Sequence, residues 1–185
     1  MGDHLELSHP EALKKNEMAL QHFDMLFPEG VTYHGNEYFV KPERRIIGEN
    51  RQFEPRFGLN ATIELIFEYV RRSHFPDRPS RFQSFFAFDS EGDTNRFIRE
   101  KTKLADPAYV WEVECEHEPF RADMNLLDIG GSVICVSYFA HKYWSGESGS
   151  DRPLWEFLLP RSVFVRKCIA EKKMNDRGGI YTRYL

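Results

Sequence analysis

Leu154-Trp155-Glu156-Phe157-Leu158-Leu159-Pro160-Arg161-Ser162-Val163-Phe164-Val165-Arg166 is the stretch from which the fold is read. Aromatic and branched residues recur there at strand spacing, and a proline cannot donate within a ladder, so the stretch predicts two short strands broken at Pro160. Glu156 stands out among Leu154, Trp155, Phe157, Leu158 and Leu159. A carboxylate in such company either faces solvent from the outer side of a strand or is held at the mouth of a cleft.

Outward from this stretch the chain reads as an α+β domain. Its 185 residues suit one domain with a substantial core. Hydrophobic residues at 41%, charged residues at 29% and a formal charge of -4 describe an ordinary globular protein without a basic arm for nucleic acid. Cys115, Cys135 and Cys168 are far apart and form no C-x-x-C pair, which speaks against a disulfide framework or a structural zinc site and for a reducing compartment. Residues 1–7 lack the pattern of a signal peptide, and no apolar run approaches the roughly 20 residues needed to cross a bilayer, so the expectation is cytoplasmic. The 16 phenylalanines favour a core or cleft walled by aromatic faces.

In chain order, Ser8-His9-Pro10-Glu11 reads as a capping box opening a helix that carries Ala12, Met18, Ala19, Phe23, Leu26 and Phe27 and ends near Gly30. Residues 31–34 read as a short strand running into Gly35, and 36–56, charged and holding Pro42 and Pro55, as a long surface loop. Asn60 is expected to cap a second helix with Ile63, Ile66, Phe67 and Val70 inward and Arg71 and Arg72 in its last turn. Residues 82–88 predict a buried strand, 89–93 a turn, and about 94–103 a helix. Residues 109–116 alternate, with Trp111, Val113 and Cys115 on one face and Glu112, Glu114 and Glu116 on the other. A turn-rich connection over 120–128, a helix over 132–144, a mobile Gly/Ser-rich segment over 145–151 and a terminal edge strand over 180–185 complete the reading. Helices lie mostly early and short strands mostly late, which predicts a mixed or antiparallel sheet.

Three separated segments carry a resemblance. Tyr33-His34-Gly35, then Phe82-Gln83-Ser84-Phe85-Phe86-Ala87, then Trp155-Glu156-Phe157-Leu158-Leu159-Pro160 resemble the three ordered motifs of the ADP-ribosyltransferase superfamily, in particular its histidine-type bacterial and phage members. The similarity spans roughly residues 31–167. It is also carried by Tyr109 to Glu114 and Pro119 to Asp123, which look like the strand and turn preceding the late motif in rifampicin-modifying members. The resemblance implies a split sheet holding NAD in a central cleft, with residues 1–30 as an N-terminal helical segment and 31–185 as the NAD-binding catalytic core of a single domain spanning 1–185.

It further implies that Glu156 is the catalytic carboxylate, hydrogen-bonded to the 2'-hydroxyl of the nicotinamide ribose. Cleaving the nicotinamide–ribose bond leaves positive charge on the sugar, and a fixed anion stabilises that transition state more than the ground state. His34 would hydrogen-bond the adenosine-side ribose and, with Tyr33 and Gly35, seat the dinucleotide. Ser84 would brace the nicotinamide ribose, and Phe85 or Phe86 would offer a stacking face. Histidine-type members usually carry a tyrosine in the middle strand, where this chain has phenylalanines. Leu154, two before Glu156, stands where arginine-specific members have an acidic or amide residue, which argues against arginine as acceptor. Arg44, Arg45 and Arg51 are candidates for the pyrophosphate or an anionic acceptor, against the plainer reading of a solvated charged loop.

The implied function is mono-ADP-ribosyl transfer from NAD, without a metal, to a protein, nucleic-acid or small-molecule acceptor. Such an activity in a toxin or effector is one that an inhibitory partner protein can restrain. Three alternatives stand beside it: an NAD glycohydrolase of the same fold, a non-catalytic binding protein that retains the fold, and a metal-dependent nuclease built on Glu112, Glu114, Asp123 or Asp128.

Overall fold

The computed structural model describes residues 3–40, 44–47, 52–55, 59–101, 107–128, 132–161, 163–174 and 180–184. The chain begins with β1 (His4–Leu5), a 3-10 turn (Glu11–Lys15), α1 (Glu17–Leu26) and a one-turn α2 (Tyr33–Gly35). It continues through a π-helical turn (Asn36–Val40), a hairpin of β2 (Arg44–Ile47) and β3 (Gln52–Pro55), then α3 (Leu59–His74), β4 (Ser84–Ala87) and α4 (Glu91–Lys101). The second half holds β5 (Ala108–Cys115), β6 (Phe120–Asp123), α5 (Val133–Ser145), β7 (Trp155–Pro160), β8 (Val163–Met174) and β9 (Ile180–Tyr184).

Among the described residues all strand pairing is antiparallel. β7 is the middle of a three-stranded sheet, ordered β4-β7-β6, and β8 is the spine of a four-stranded sheet, with β5 on one side and β1 and β9 on the other. The break at Pro160 therefore does more than end a strand. It passes the chain from one sheet to the other, through Arg161 at φ 47, a left-handed corner uncommon for a residue with a side chain. The expected α+β architecture with antiparallel pairing is what the molecule has.

The larger core lies between α3, α5 and the three-stranded sheet: Ile63, Phe67, Val70, Phe120, Ala122, Leu126, Val136, Ala140, Tyr143, Trp144 and Leu158. Trp144 stacks on Phe120 with ring centroids 5.7 Å apart, and its Nε1 donates to the Phe67 carbonyl at 2.8 Å, which ties α5 to α3. A second cluster, Phe23, Phe27, Val31, Val40 and Phe82, packs α1 and the α2 turn against the segment leading into β4.

Several expectations are corrected. Ser8 caps nothing; both its backbone groups are bonded to Val31, in a bridge that fixes the start of the chain. The first helix instead breaks after Lys15, and Asn16 caps α1 by accepting from Ala19 N. Residues 33–35 form a helical turn, not a strand, because the Thr32 hydroxyl accepts from Gly35 N and starts a helix there. The expected loop over 36–56 contains the β2–β3 hairpin, and α3 starts at Leu59, placing Asn60 inside its first turn. Arg81–Gln83 is a 3-10 turn, so the middle strand begins only at Ser84. In β5 register shifts at Val110/Trp111 and Trp111/Val113 turn Trp111 outward, leaving it 51% exposed, whereas Val113 and Cys115 stay half-buried. The connection over 120–128 contains β6, paired along β7. No helix among the described residues is long and apolar enough to cross a membrane.

Candidate functional site

A cleft of about 590 Å³ opens beside the start of β7, at Glu156, within the size range of small-molecule sites. Tyr33, His34, Ser84, Phe85 and Glu156, from all three sequence motifs, line it. Gly35 is buried behind the lining: a Cβ there would stand 2.4 Å from the Phe82 carbonyl oxygen and 2.7 Å from Val31 Cβ. Its lack of a side chain lets the α2 turn press against the β4 lead-in and carry His34 to the wall of the cleft.

Glu156 is 1% exposed and faces the cleft floor. Strand alternation puts it on the same side as Leu158, toward α3 and α5, while Trp155 and Phe157 point the other way. Asp123, at the end of β6, sets the register. Its Oδ1 accepts from Leu154 N at 2.9 Å and from Asn125 N at 3.0 Å, and its Oδ2 from Gly149 N at 2.8 Å. One buried carboxylate thus secures the start of β7, the segment before it and the turn after β6. Leu154 itself is fully buried.

Two partners missing from the sequence reading, Arg81 and Tyr143, hold Glu156, and a third residue, Glu64, holds Arg81. Arg81 Nη1 donates to Glu156 Oε1 at 2.5 Å, and the Tyr143 hydroxyl donates to the same oxygen at 2.7 Å. Arg81 Nη1 also donates to the Tyr143 oxygen. On its other edge the guanidinium meets Glu64 with two bonds, Nε to Oε2 at 2.8 Å and Nη2 to Oε1 at 3.0 Å. His34 Nε2 lies 3.2 Å from Glu64 Oε1, close enough for an ion pair but without hydrogen-bond alignment. A continuous chain of polar groups, His34, Glu64, Arg81, Tyr143 and Glu156, therefore forms the floor.

Electrostatics follow from this packing. Burial works against the charged form of Glu64, but the Arg81 charge, then His34, outweigh it and lower the carboxyl from 4.5 to about 2. Burial opposes the Arg81 charge as well, yet Glu156 and Glu64 raise its pKa well above the usual value. The Tyr143 phenol is pushed well above its usual range, by burial first, with Arg81 opposing and Glu156 adding. One guanidinium thus stands between two carboxylates on the floor.

The walls are aromatic. His34 packs on Tyr38 and edge-on to Phe86, with centroids 4.6 Å and 4.9 Å apart, and Phe85, Phe88 and Phe97 extend the apolar side. Tyr33 is 75% exposed at the rim. The Ser84 hydroxyl lies against the cleft but donates to the Ser80 carbonyl at 2.7 Å. At the far rim Lys101 pairs with Asp128, two residues the sequence reading did not join. Arg51 and the side chains of Arg44 and Arg45 fall outside the described residues.

The candidate metal residues are used otherwise. Asp123 is saturated by backbone donors, Glu114 pairs with Arg166, and Glu112 lies 3.5 Å from Lys167. Among the described residues, no group of three or more His, Cys, Asp and Glu is arranged to hold a metal ion.

Glu64, Arg81 and Tyr143 escaped the sequence reading, though one signal was present. Glu64, Glu68 and Arg71 form a stripe at i, i+4 and i+7 beside the apolar stripe of Ile63, Phe67 and Val70, and such a stripe is ordinarily taken as solvated. Here it is buried.

Residues 14–171 match the sequence model of a family described as Protein of unknown function (DUF2441), and the chain belongs to that family. No curated protein matches it.

Proposed function

We propose that this cleft binds NAD and that Glu156 promotes cleavage of the bond between nicotinamide and ribose, with transfer of ADP-ribose to an acceptor. The observation that carries the reading is the convergence of His34, Ser84 and Glu156, from segments far apart in sequence, on one cleft of about 590 Å³. The resemblance of these segments to the ADP-ribosyltransferase motifs, and an antiparallel sheet with the glutamate on its central strand, support it.

The residues present fit the dinucleotide. Both bonds to Glu156 fall on Oε1, so among the described residues Oε2 is left to meet a ribose hydroxyl. His34, whose Nε2 lies 3.2 Å from Glu64 Oε1, stands in the wall of the cleft where a sugar would lie. The aromatic walls suit flat rings and a cationic pyridinium, and a carboxylate at the floor suits the positive charge that grows on the ribose.

In the reaction the C1'–N bond breaks and its electron pair passes to the nicotinamide nitrogen, cancelling the pyridinium charge. The acceptor's nucleophilic atom forms the new bond to C1', and its proton leaves to Glu156 or to solvent. Where water is the acceptor, the product is free ADP-ribose. The three free cysteines suit a reducing, cytoplasmic setting.

The Arg81 contact favours a second reading, a binding protein that keeps the cleft without the chemistry, since a guanidinium already neutralises part of the Glu156 charge. Incubation with NAD labelled in the adenosine half, with and without cell lysate, separates the readings. Label moving to a macromolecule supports transfer, and nicotinamide release with label remaining as ADP-ribose supports a glycohydrolase. NAD binding without turnover supports the binding protein, and neither binding nor turnover refutes the proposal.

A further inference from the structure

We propose that Arg81, together with Tyr143, is a positioning residue for Glu156, gripping one carboxylate oxygen from behind so that the other faces the cleft. This rests on the reading of Glu156 as the catalytic carboxylate.

The Arg81 guanidinium has no freedom to act as a movable gate. It is buried, held on two sides by Glu64 and Glu156, and flanked by the rings of Phe86 and Tyr143, whose centroids lie 4.7 Å and 5.3 Å from its central carbon. Its backbone is equally fixed. The 3-10 turn that carries it is capped by the Ser80 hydroxyl, which accepts from Phe82 N at 3.2 Å and itself donates to buried Glu68 at 2.9 Å. Glu68 in turn receives Arg71 and Arg72 from the same helix, α3, that supplies Glu64. The donors that reach Glu156 are therefore anchored on α3 and α5, while the strand carrying Glu156 is anchored separately through Asp123.

Two consequences follow. The carboxylate cannot rotate without giving up both Oε1 bonds, so its orientation toward the cleft is set before any ligand arrives. Arg81 also stands between two carboxylates that would otherwise face each other in a buried site. The groups facing Glu156 from the packed elements are His34 on α2, Glu64 on α3, Arg81 before β4 and Tyr143 on α5. Lys101 and Asp128 at the cleft rim are paired with each other.

The test compares the wild type with Arg81→Lys, Tyr143→Phe and Glu156→Gln, measuring kcat and KM for nicotinamide release and NAD affinity by calorimetry. Lysine keeps the charge but cannot grip Glu64 with two bonds and still reach Glu156. Arg81→Lys is expected to lower kcat on the order of 100-fold and Tyr143→Phe about tenfold, each with NAD affinity within a few-fold of wild type. Both variants are expected to act on kcat and not on KM, the split that separates a group that orients Glu156 from one that binds NAD. Tyr143→Phe removes a single hydroxyl and decides the matter if Arg81→Lys does not fold.

Wild-type kcat in Tyr143→Phe and in any folded Arg81→Lys, beside an inactive Glu156→Gln, would overturn the clamp while leaving Glu156 as the catalytic carboxylate. A wild type that neither binds nor cleaves NAD would overturn the underlying reading and the clamp with it.

Discussion

Replacing Glu64 by glutamine removes the carboxylate on which the whole floor is assembled. Glu64 is buried, takes two bonds from Arg81 and is lowered from 4.5 to about 2. At about 1.36 kcal/mol per unit of pKa, that difference contributes about 3 kcal/mol of folding stability. Because the folded-state pKa is the depressed one, this contribution is present in full above about 4.5 and is lost as the pH falls toward about 2. At neutral pH Glu64→Gln should therefore be less stable by about 3 kcal/mol, the scale expected for removing one partner of a buried ion pair. Its stability should also fall less steeply than that of the wild type over the acid window. Urea unfolding followed by tryptophan fluorescence suits the assay, since Trp144 is fully buried in the core beside Tyr143. A variant within about 1 kcal/mol of wild type at neutral pH, with a parallel decline in acid, would refute this account of the Arg81 network.

Other substitutions probe the supports of the site. Gly35→Ala drives a methyl group toward the Phe82 carbonyl and Val31, so a loss of about 1–3 kcal/mol is expected on unfolding, with weaker NAD binding by calorimetry as the His34 turn is displaced. Glu68→Gln removes the charge and puts an NH2 donor in place of one of the two oxygens that Arg71, Arg72 and Ser80 share, and should cost about 3 kcal/mol by the same assay. Trp144→Phe loses the Nε1 bond to the Phe67 carbonyl, and a destabilisation of about 1–2 kcal/mol is expected from the unfolding midpoint in urea.

What the sequence revealed of this fold depended on local chemistry. Glu156 was legible because a carboxylate amid an apolar strand must be either wet or used, and the break at Pro160 was legible because proline cannot continue a ladder. The helical character of residues 33–35 was hidden by a histidine-glycine pair that read as a strand end, although Thr32 is a good cap. β6 was missed because Phe120-Arg121-Ala122-Asp123 is short and half charged, and its pairing with β7 is a tertiary matter. The outward turn of Trp111 depends on register shifts against β8 that strict alternation cannot anticipate. Arg81 and Glu156 are 75 residues apart in the chain, and Arg81 and Tyr143 are 62 apart. Periodicity reports which face is apolar, so the burial of a charged stripe beside that face emerges only when the facing elements are in place.

The central claim is that Glu156, aimed into the cleft from β7, promotes cleavage of NAD. Its most direct test is the rate of nicotinamide release by purified wild type and by Glu156→Gln, a change of nearly equal size that removes only the charge. Release by the wild type is expected, with a fall on the order of 10²–10³ or more in the variant and NAD affinity retained in both. Equal rates in the two proteins, or no release from a folded wild type, would contradict it.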